Sequence, residues 1–339
     1  MALAAEVMQR PARVIRIAEG PIRLAFAGND RQLFATLART FGVAMARTEG
    51  TLPWGAAIRL PDADVEAVEI AFWEAARARA AGALVLPRWV GLSVDLDQER
   101  LDTRRRALLA RAEARGMTAE VVDAPAALED FVRRYYEPTA RARHGDDAFV
   151  LRLRYLRHAA RRAELLFVRE GGIRMAGILL VRRDASVIDA WVTGVLDGDY
   201  LGTDSAARVA LYVFAMRHAK ERGARSMGLT SASPFLGDGL LRYKRSFGAR
   251  ASPVPWHPTA VRLVVRRATP DVVAALARSP AVHMVGERLV GIALSRGVTD
   301  LAPRRRFALA GVEGPHVVTG SEEDLPAQLA AWAGGPCHA

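Results

Sequence analysis

The sequence has few of the residues on which disulfide-rich and metal-dependent proteins rely. It contains one cysteine, Cys337, which excludes an intrachain disulfide and lies too close to the C-terminus for us to expect a catalytic thiol. The seven histidines show no spacing typical of metal ligands, so no metal is expected. The sequence also lacks a Gly-x-Ser-x-Gly elbow and a Walker loop, the motifs of common hydrolases and nucleotide-binding proteins.

Long apolar runs are also missing. No window reaches the length of a membrane span, and residues 1–10 carry Glu6 rather than the basic start and long apolar stretch of a signal peptide. A single cysteine is consistent with a reducing compartment. We therefore expect a cytoplasmic protein, and contact with the inner face of a membrane stays open.

Apolar residues and positive charge are abundant. Of 339 residues, 51% are hydrophobic, enough for the cores of two compact units. Lys and Arg number 48 against 37 Asp and Glu, a formal net charge of +11. This excess favours polyanionic partners such as nucleic acid, phosphorylated cofactors, acidic carrier proteins or anionic lipids. The alternative is that the arginines simply cover solvated helix faces.

Hydrophobic periodicity predicts strands and helices in alternation. Helices are predicted at residues 31–41, 64–80, 97–115, 124–141, 149–161, 204–222 and 238–247, and strands at 22–27, 54–60, 84–96, 118–122, 165–168, 173–181, 187–195 and 224–229. A strand at 261–265 and helices at 270–277 and 282–294 follow, and residues 302–339 are expected to be irregular. A three-strand meander, a long helix and one more strand predict an α/β (α+β) fold with a mixed sheet flanked by helices.

The long helix at 204–222 defines the expected site. A right-handed crossover places its N-terminus beside the carboxyl end of strand 187–195, where α/β folds commonly bind ligands. Free backbone N–H groups and the positive end of the helix dipole suit an acyl carbonyl or a phosphate there. The alternative is that Asp204 simply caps the helix.

Five segments carry a resemblance to a known family. They are Val94-Asp95-Leu96 with the basic helix ending Arg115-Gly116, Tyr135-Tyr136-Glu137-Pro138-Thr139 with Arg143-His144-Gly145, Glu170-Gly171-Gly172 to Ala176-Gly177, His218-Ala219-Lys220-Glu221-Arg222-Gly223, and Tyr243-Lys244-Arg245-Ser246-Phe247-Gly248-Ala249. In this order they are similar to the FemAB-like branch of the GNAT acyltransferase superfamily. The last segment is the most specific, because it follows the long helix at the right distance.

The resemblance implies both an architecture and an activity. It implies a GNAT-type sheet with a second, degenerate GNAT-like N-terminal half, and the domains 1–20 (loose), 21–116 (N-terminal half), 117–259 (acyltransferase) and 260–339 (C-terminal extension). It implies transfer of an acetyl, acyl or aminoacyl group to a small-molecule or peptide amine by direct attack. The implied donors are acyl-CoA, an acidic acyl carrier protein or aminoacyl-tRNA, so RNA is a possible donor partner.

One loop departs from the family pattern. Members that use acetyl-CoA carry a basic residue or Gln and two glycines where the meander meets the long helix, whereas residues 197–205 of this chain are acidic. Two carboxylates would repel a pyrophosphate, so the departure weakens the CoA hypothesis. The donor-binding residues expected here are Gly202, Thr203, Asp204 and Ser205.

Three residues are the expected catalytic groups. Alternation places Asp189 on one face of its strand with Trp191 and Thr193, where burial would raise the pKa of its carboxyl and suit it as a base. Lys244 would stabilise the tetrahedral oxyanion and Tyr243 would protonate the leaving group. The alternatives are a solvated Asp189, a surface Lys244 and a packed Tyr243.

The loop after helix 124–141 supplies the expected acceptor-binding residues, Arg143 and His144. Arginine is a fork donor suited to an anionic acceptor, although a lone histidine is more often structural. A second function class stays open: a non-catalytic GNAT-like module that binds nucleic acid or an acidic partner through its basic surface. The arginine-rich helix at 97–115 has no interleaved aromatic residues for base stacking, so a solvated face is its simpler explanation.

Overall fold

A computed structural model describes residues 12–17, 20–43, 48–52, 63–98, 100–145, 148, 150–199, 204–254, 257–295 and 306–335. Its strands are β1 (Ala12–Ile17), β2 (Leu24–Gly28), β3 (Thr48–Leu52), β4 (Val65–Ala71), β5 (Leu84–Pro87), β6 (Val90–Asp95), β7 (Thr118–Asp123), β8 (Ala163–Glu170), β9 (Ile173–Arg182), β10 (Val187–Val195), β11 (Ser226–Ala232), β12 (Arg250–Pro253), β13 (Thr259–Val265), β14 (Ala281–Val285), β15 (Arg288–Ser295) and β16 (Val312–Thr319).

The helices are α1 (Arg31–Phe41), α2 (Ala75–Ala80), α3 (Thr103–Ala114), α4 (Ala124–Phe131), α5 (Glu137–His144), α6 (Leu153–Ala160), α7 (Ser205–Glu221), α8 (Gly239–Arg245), α9 (Pro270–Arg278) and α10 (Asp324–Gly334). A π-helical turn, Val132–Tyr136, joins α4 to α5. None of the helices in the described part of the chain is long and apolar enough to cross a membrane.

The chain folds into two compact units. The first contains residues 1–91, 231–242 and 251–339, and the second contains residues 92–230 and 243–250. This division differs from the predicted boundaries at 116/117 and 259/260. The reason is pairing between distant segments: β13 lies between β4 and β5 in one sheet, so residues beyond 259 help to build the N-terminal unit.

The second unit is a mixed sheet flanked by helices. Its strands lie in the order β6-β11-β10-β9-β8-β7. β7 to β10 form an antiparallel meander, and β11 returns parallel to β10 after α7. On one face, a cluster that includes Phe131, Tyr135 and Phe167 packs α4, the π-turn and α6 against β8 and β9. The predicted meander and crossover are confirmed.

The first unit has a six-stranded sheet, β3-β1-β2-β4-β13-β5, and a three-stranded sheet, β14-β15-β16. Apolar side chains of α1, α9 and α10 pack against these strands in one core. Helix α1 has the predicted bounds, because Asp30 caps it at one end and Gly42 ends it in the left-handed region at φ 67°.

Three predicted elements of the first unit are wrong. Residues 64–80 are not one helix, because 65–71 form β4 and only 75–80 are α-helical. Residues 282–294 form the β14–β15 hairpin, turned at Gly286 with φ 59°. Within 302–339, β16 and α10 are regular. Residues 12–17 of the expected loose N-terminal segment form β1, while the predicted strand 54–60 and Cys337 lie outside the described residues.

Two buried glutamates explain why hydrophobic periodicity predicted a helix where β4 lies. Glu66 and Glu69 are polar positions that suggested a solvated helix face, yet both are buried. Glu66 pairs with Arg262 and Arg266, the latter at 2.9 Å, and β4 is covered on both edges by β2 and β13. Paired carboxylates on a central strand break the apolar pattern of a buried strand.

Candidate active site

Strand β10 carries a β-bulge that changes which of its side chains share a face. Its register against β9 pairs Ala190 with Leu180 and then Val192 with Leu179, so Trp191 is an extra residue. Residues directly opposite each other on antiparallel strands project from the same face of the sheet. The bulge therefore inverts the alternation of β10 on either side of Trp191.

The inversion separates two side chains that the simple alternation put together. Asp189 pairs with Val181, which packs on the α4–α6 side, whereas Thr193 pairs with Ile178, three residues earlier on β9. Positions an odd number apart on a strand face opposite ways. The predicted shared face for Asp189 and Thr193 is wrong, and the cause is the inserted Trp191.

Strands β10 and β11 pair at one end only. Their parallel register runs from Val187–Ser226 to Asp189–Gly228, although β10 continues to Val195. The strands therefore separate toward their carboxyl ends, beside the start of α7. We call this place the open edge and define it as residues 192–195 of β10, residues 229–230 of β11 and the first turn of α7.

The first turn of α7 is capped by Asp204, which accepts a hydrogen bond from the Ala206 amide at 2.8 Å. Arg111 pairs with the same carboxylate at 3.0 Å, and so does Arg115. The Ala206 amide, followed by the charges of the two arginines, lowers the pKa of Asp204. Arg115 also pairs with Glu170 at 2.7 Å, so the two arginines offset the charges of Asp204 and Glu170. Ser205 begins the helix, and Gly202 and Thr203 lie outside the described residues.

Lys244 is a buried cation at the open edge. It is 2% exposed, and its Nζ donates to Thr230 Oγ1 at 2.9 Å. The chain has only two lysines among its 48 basic residues, Lys244 and Lys220. A buried ammonium is costly unless hydrogen-bonded, so a surface role for Lys244 does not fit its position. Its compact charge needs fewer acceptors than the fork of an arginine.

The partner of Lys244 has an unusual backbone. Thr230 has φ 60°, the left-handed region, which is a genuine outlier for a β-branched residue. Its hydroxyl also lies 2.5 Å from the carbonyl oxygen of Leu229. Strain of this kind persists only where surrounding structure holds it, and it often accompanies functional sites.

Tyr243 is fixed beside α7. Its hydroxyl donates to the carbonyl of Arg208 at 3.2 Å, in the first turns of α7. The ring contacts Tyr212 and Phe247 edge-on, and the Arg105 guanidinium lies 4.6 Å from its centroid. The structure therefore brings Tyr243 and Lys244 together with the beginning of α7.

Asp189 lies elsewhere. It is the third residue of β10, six residues from Val195, which at about 3.3 Å per residue is roughly 20 Å away. Its carboxylate accepts two hydrogen bonds from Arg183, at 2.8 and 2.5 Å, and lies over Gly228. A Cβ at Gly228 would be 2.0 Å from the Asp189 Oδ1, so the glycine makes room for this ion pair. The structure does not bring Asp189 to the open edge.

The predicted acceptor residues end α5. Arg143 and His144 are its last two residues, and Gly145 follows with φ 57°. The side chain of His144 lies outside the described residues, and the exposed Arg143 has contacts of its own.

Sequence reasoning missed the π-turn that lines β10. Thr139 accepts from the Val195 amide at 2.8 Å, and a Cβ at Gly194 would lie 2.4 Å from the carbonyl oxygen of Tyr135. The π-helical turn and α5 thus contact the end of β10 directly. Turns of this kind are frequent at functional sites. The signal in the sequence was Gly194 itself, since glycine in a strand often marks close approach of another backbone.

The first unit contains a similar series of elements: an antiparallel strand pair, a helix and a parallel strand. β1 and β2 are antiparallel, α1 follows, and β4 lies parallel to β2 with paired residues from Leu24–Val65 to Ala27–Val68. Glu69, 7% exposed, fills the next position and accepts from the Asn29 amide and Thr259 Oγ1, both at 2.9 Å. Burial raises the pKa of Glu69 despite these bonds. At the position where β10 and β11 separate in the second unit, the Glu69 side chain fills the corresponding place in the first unit.

No protein-family model and no curated protein matches the sequence. Three similar solved structures are L-PGS from Bacillus licheniformis (14% identity, 78% of this chain and 85% of that chain, TM-score 0.39), FemX (14%, 71% and 81%, 0.38) and a GCN5-related N-acetyltransferase from Kribbella flavida (16%, 77% and 93%, 0.27). All three TM-scores are below 0.5.

Proposed function

We propose that the protein is a GNAT-fold N-acyltransferase that moves an acyl or aminoacyl group onto an amine at the open edge. The observation that carries the proposal is the separation of β10 from β11 beyond Asp189 and Gly228, next to the N-terminus of α7 and the buried Lys244. An amine would attack the donor carbonyl carbon directly. The new C–N bond forms as the carbonyl electrons move to oxygen, and the bond to the leaving group breaks when the oxyanion collapses.

Each residue at the open edge has a proposed role. The Lys244 ammonium and the amide end of α7 would stabilise the oxyanion, because fixed positive groups in a water-poor site stabilise developing negative charge. Tyr243 would give its proton to the departing thiol or hydroxyl, exchanging its present acceptor, the Arg208 carbonyl, for the leaving group. The ammonium proton of the acceptor passes to solvent, since Asp189 is outside the proposed site.

The donor and acceptor classes follow the family resemblance. An acyl-CoA, an acyl carrier protein or an aminoacyl-tRNA would bring a phosphate-bearing thioester or ester, and Arg111 and Arg115, which pair with the Asp204 cap of α7, are the proposed phosphate contacts. The acceptor would be a small-molecule or peptide amine, with Arg143 and His144 as proposed contacts for an anionic acceptor.

The test is Lys244→Met with Lys220→Met as the matched control. Lys220 is the other lysine of the chain, and its Nζ lies 3.2 Å from Asp97 at the far end of α7. Transfer from a panel of acyl-CoAs, acyl carrier proteins and aminoacyl-tRNAs to amine acceptors would be followed by mass spectrometry. We expect kcat/KM to fall by about 10²–10³-fold for Lys244→Met and to stay unchanged for Lys220→Met.

A second variant keeps the test decisive should Lys244→Met fold poorly. Thr230→Gly removes the hydroxyl that holds Nζ while suiting φ 60°, so it should fold and still lower transfer. Wild-type rates in both variants would place the reaction elsewhere. A panel in which no donor is transferred and none raises the Tm would refute acyl transfer and favour the binding-module alternative.

A further inference from the structure

A groove in the second unit gathers arginines at the far end of α7 from the open edge. Its volume is about 440 Å³, within the size range of small-molecule sites. Five arginines line it, from the ends of α6, β9 and α7: Arg161, Arg162, Arg182, Arg183 and Arg222. α7 has 17 residues and is about 25 Å long, so this groove is separate from the proposed transfer centre.

The carboxylates near the groove do not balance these arginines. Glu164 lies 3.4 Å from Arg222 and 2.8 Å from His218, and Asp189 holds Arg183. Asp184 accepts from the Ser186 amide and hydroxyl, at 2.7 and 2.8 Å, which lowers the pKa of its carboxyl. Five arginines against these three carboxylates leave a formal excess of two positive charges.

Three of the five arginines, Arg161, Arg162 and Arg182, contribute this excess positive charge. Arg182 donates to two main-chain carbonyls, of Ala185 at 3.4 Å and Arg222 at 3.0 Å, which satisfy its hydrogen bonds without neutralising its charge. Within the described part of the chain, no carboxylate lies at ion-pair distance from Arg161 or Arg162, which are both exposed. The bond from Arg182 also covers a carbonyl at the C-terminus of α7, whose negative end would otherwise repel an anion.

The lining also defines the ligand. The floor is apolar, formed by Ala163, Leu180 and Ile188, and the rim is guanidinium. Guanidinium groups bind phosphate oxygens in pairs, and the two exposed guanidinium forks of Arg161 and Arg162 suit the two phosphates of a diphosphate, one each. None of the described residues that line the groove is aromatic, so they offer no platform for stacked bases.

We propose that this groove binds a diphosphate group, and that Arg161 and Arg162 are its principal contacts. The diphosphate would belong to a free soluble ligand or to a larger molecule that carries one. The proposal concerns a site separate from the transfer reaction and stands or falls independently of it.

The test uses the full chain and inorganic pyrophosphate in titration calorimetry at about 150 mM salt, where nonspecific surface attraction is largely screened. The double variant Arg161→Ala/Arg162→Ala is compared with Arg104→Ala/Arg106→Ala, an equal change of charge on exposed positions of α3. We expect saturable binding that weakens about tenfold or more in the first variant and is unchanged in the control. Tighter binding of ADP than of pyrophosphate would show that the apolar floor takes part.

Three results would overturn the proposal: no saturable binding of pyrophosphate or ADP, binding that both double variants weaken equally, or binding to an RNA oligonucleotide or phosphatidylglycerol vesicles that pyrophosphate does not compete. Within the described ranges the side chains of Arg161 and Arg162 make no ion pair, and Arg104 and Arg106 are exposed, so both double variants should keep the wild-type Tm.

Discussion

The buried His283 should make the first unit lose stability as the pH falls from neutral. It is 0% exposed on β14, and its Nδ1 accepts from the Val85 amide at 2.9 Å, while its ring meets Trp332 edge-on at 5.6 Å. Burial, with a smaller effect from the charge of Arg79, lowers its pKa to about 4 from an ordinary 6.5. The folded state therefore holds this imidazole neutral over a range in which the unfolded chain protonates it.

The sign and size follow from linkage. Between about pH 6.5 and 4 the unfolded state binds more protons than the folded state, so the free energy of unfolding falls as the pH falls. With a pKa of 6.5 in the unfolded chain and about 4 in the folded state, about 3 kcal/mol of stability is lost by pH 4. This is a large fraction of the stability of a typical domain.

The assay compares wild type with His283→Asn by urea denaturation at several pH values between 7 and 4. Asparagine keeps an acceptor for the Val85 amide but does not titrate, and its cavity costs the same at every pH. His257, whose pKa burial also lowers, is present in both proteins and cancels. The wild-type advantage should shrink by about 3 kcal/mol across this range. An advantage that stays constant with pH would refute a neutral, buried His283.

Two further predictions concern the second unit. Gly194→Ala should destabilise it by about 1–3 kcal/mol, because the new Cβ would lie within 2.4 Å of the Tyr135 backbone. The control Gly239→Ala, in the first unit and with nothing within 4 Å of the new Cβ, should be near neutral in the same urea titration. Asp189→Asn should leave kcat and the pH profile of transfer unchanged; a tenfold loss of kcat with an unchanged Tm would instead restore Asp189 as the base.

The elements that the sequence predicted correctly have local signals. Helix α1 is bounded by Asp30 and Gly42, and α7 by Asp204 and Gly223, so caps and apolar spacing were sufficient. The meander strands β8 to β10 are largely apolar and separated by turn residues. These features do not depend on distant parts of the chain.

The failures depend on partners far away in sequence. β4 looked helical because Glu66 is polar, yet Glu66 is paired with arginines about 200 residues later. The bulge at Trp191 depends on the register of β10 against β9, which no alternation pattern contains. Likewise, the charge of Asp204 is compensated by Arg111 of α3 and by Arg115, which follows α3, and the local sequence around Asp204 does not predict either pairing.

The two units differ in the space beside the N-terminus of the helix that follows their antiparallel strand pair. Each has an antiparallel strand pair, a capped helix and a parallel return strand, but the parallel pairing of β2 with β4 reaches Ala27–Val68 near the end of β2, whereas that of β10 with β11 stops at the third residue of each strand. In the first unit, Glu69 and its donors occupy the place beside the helix N-terminus. A reacting carbonyl needs space there and a fixed positive group nearby. In the described residues of the second unit, the separated strands supply the space, and the buried Lys244, whose Nζ donates to Thr230 Oγ1, supplies the charge.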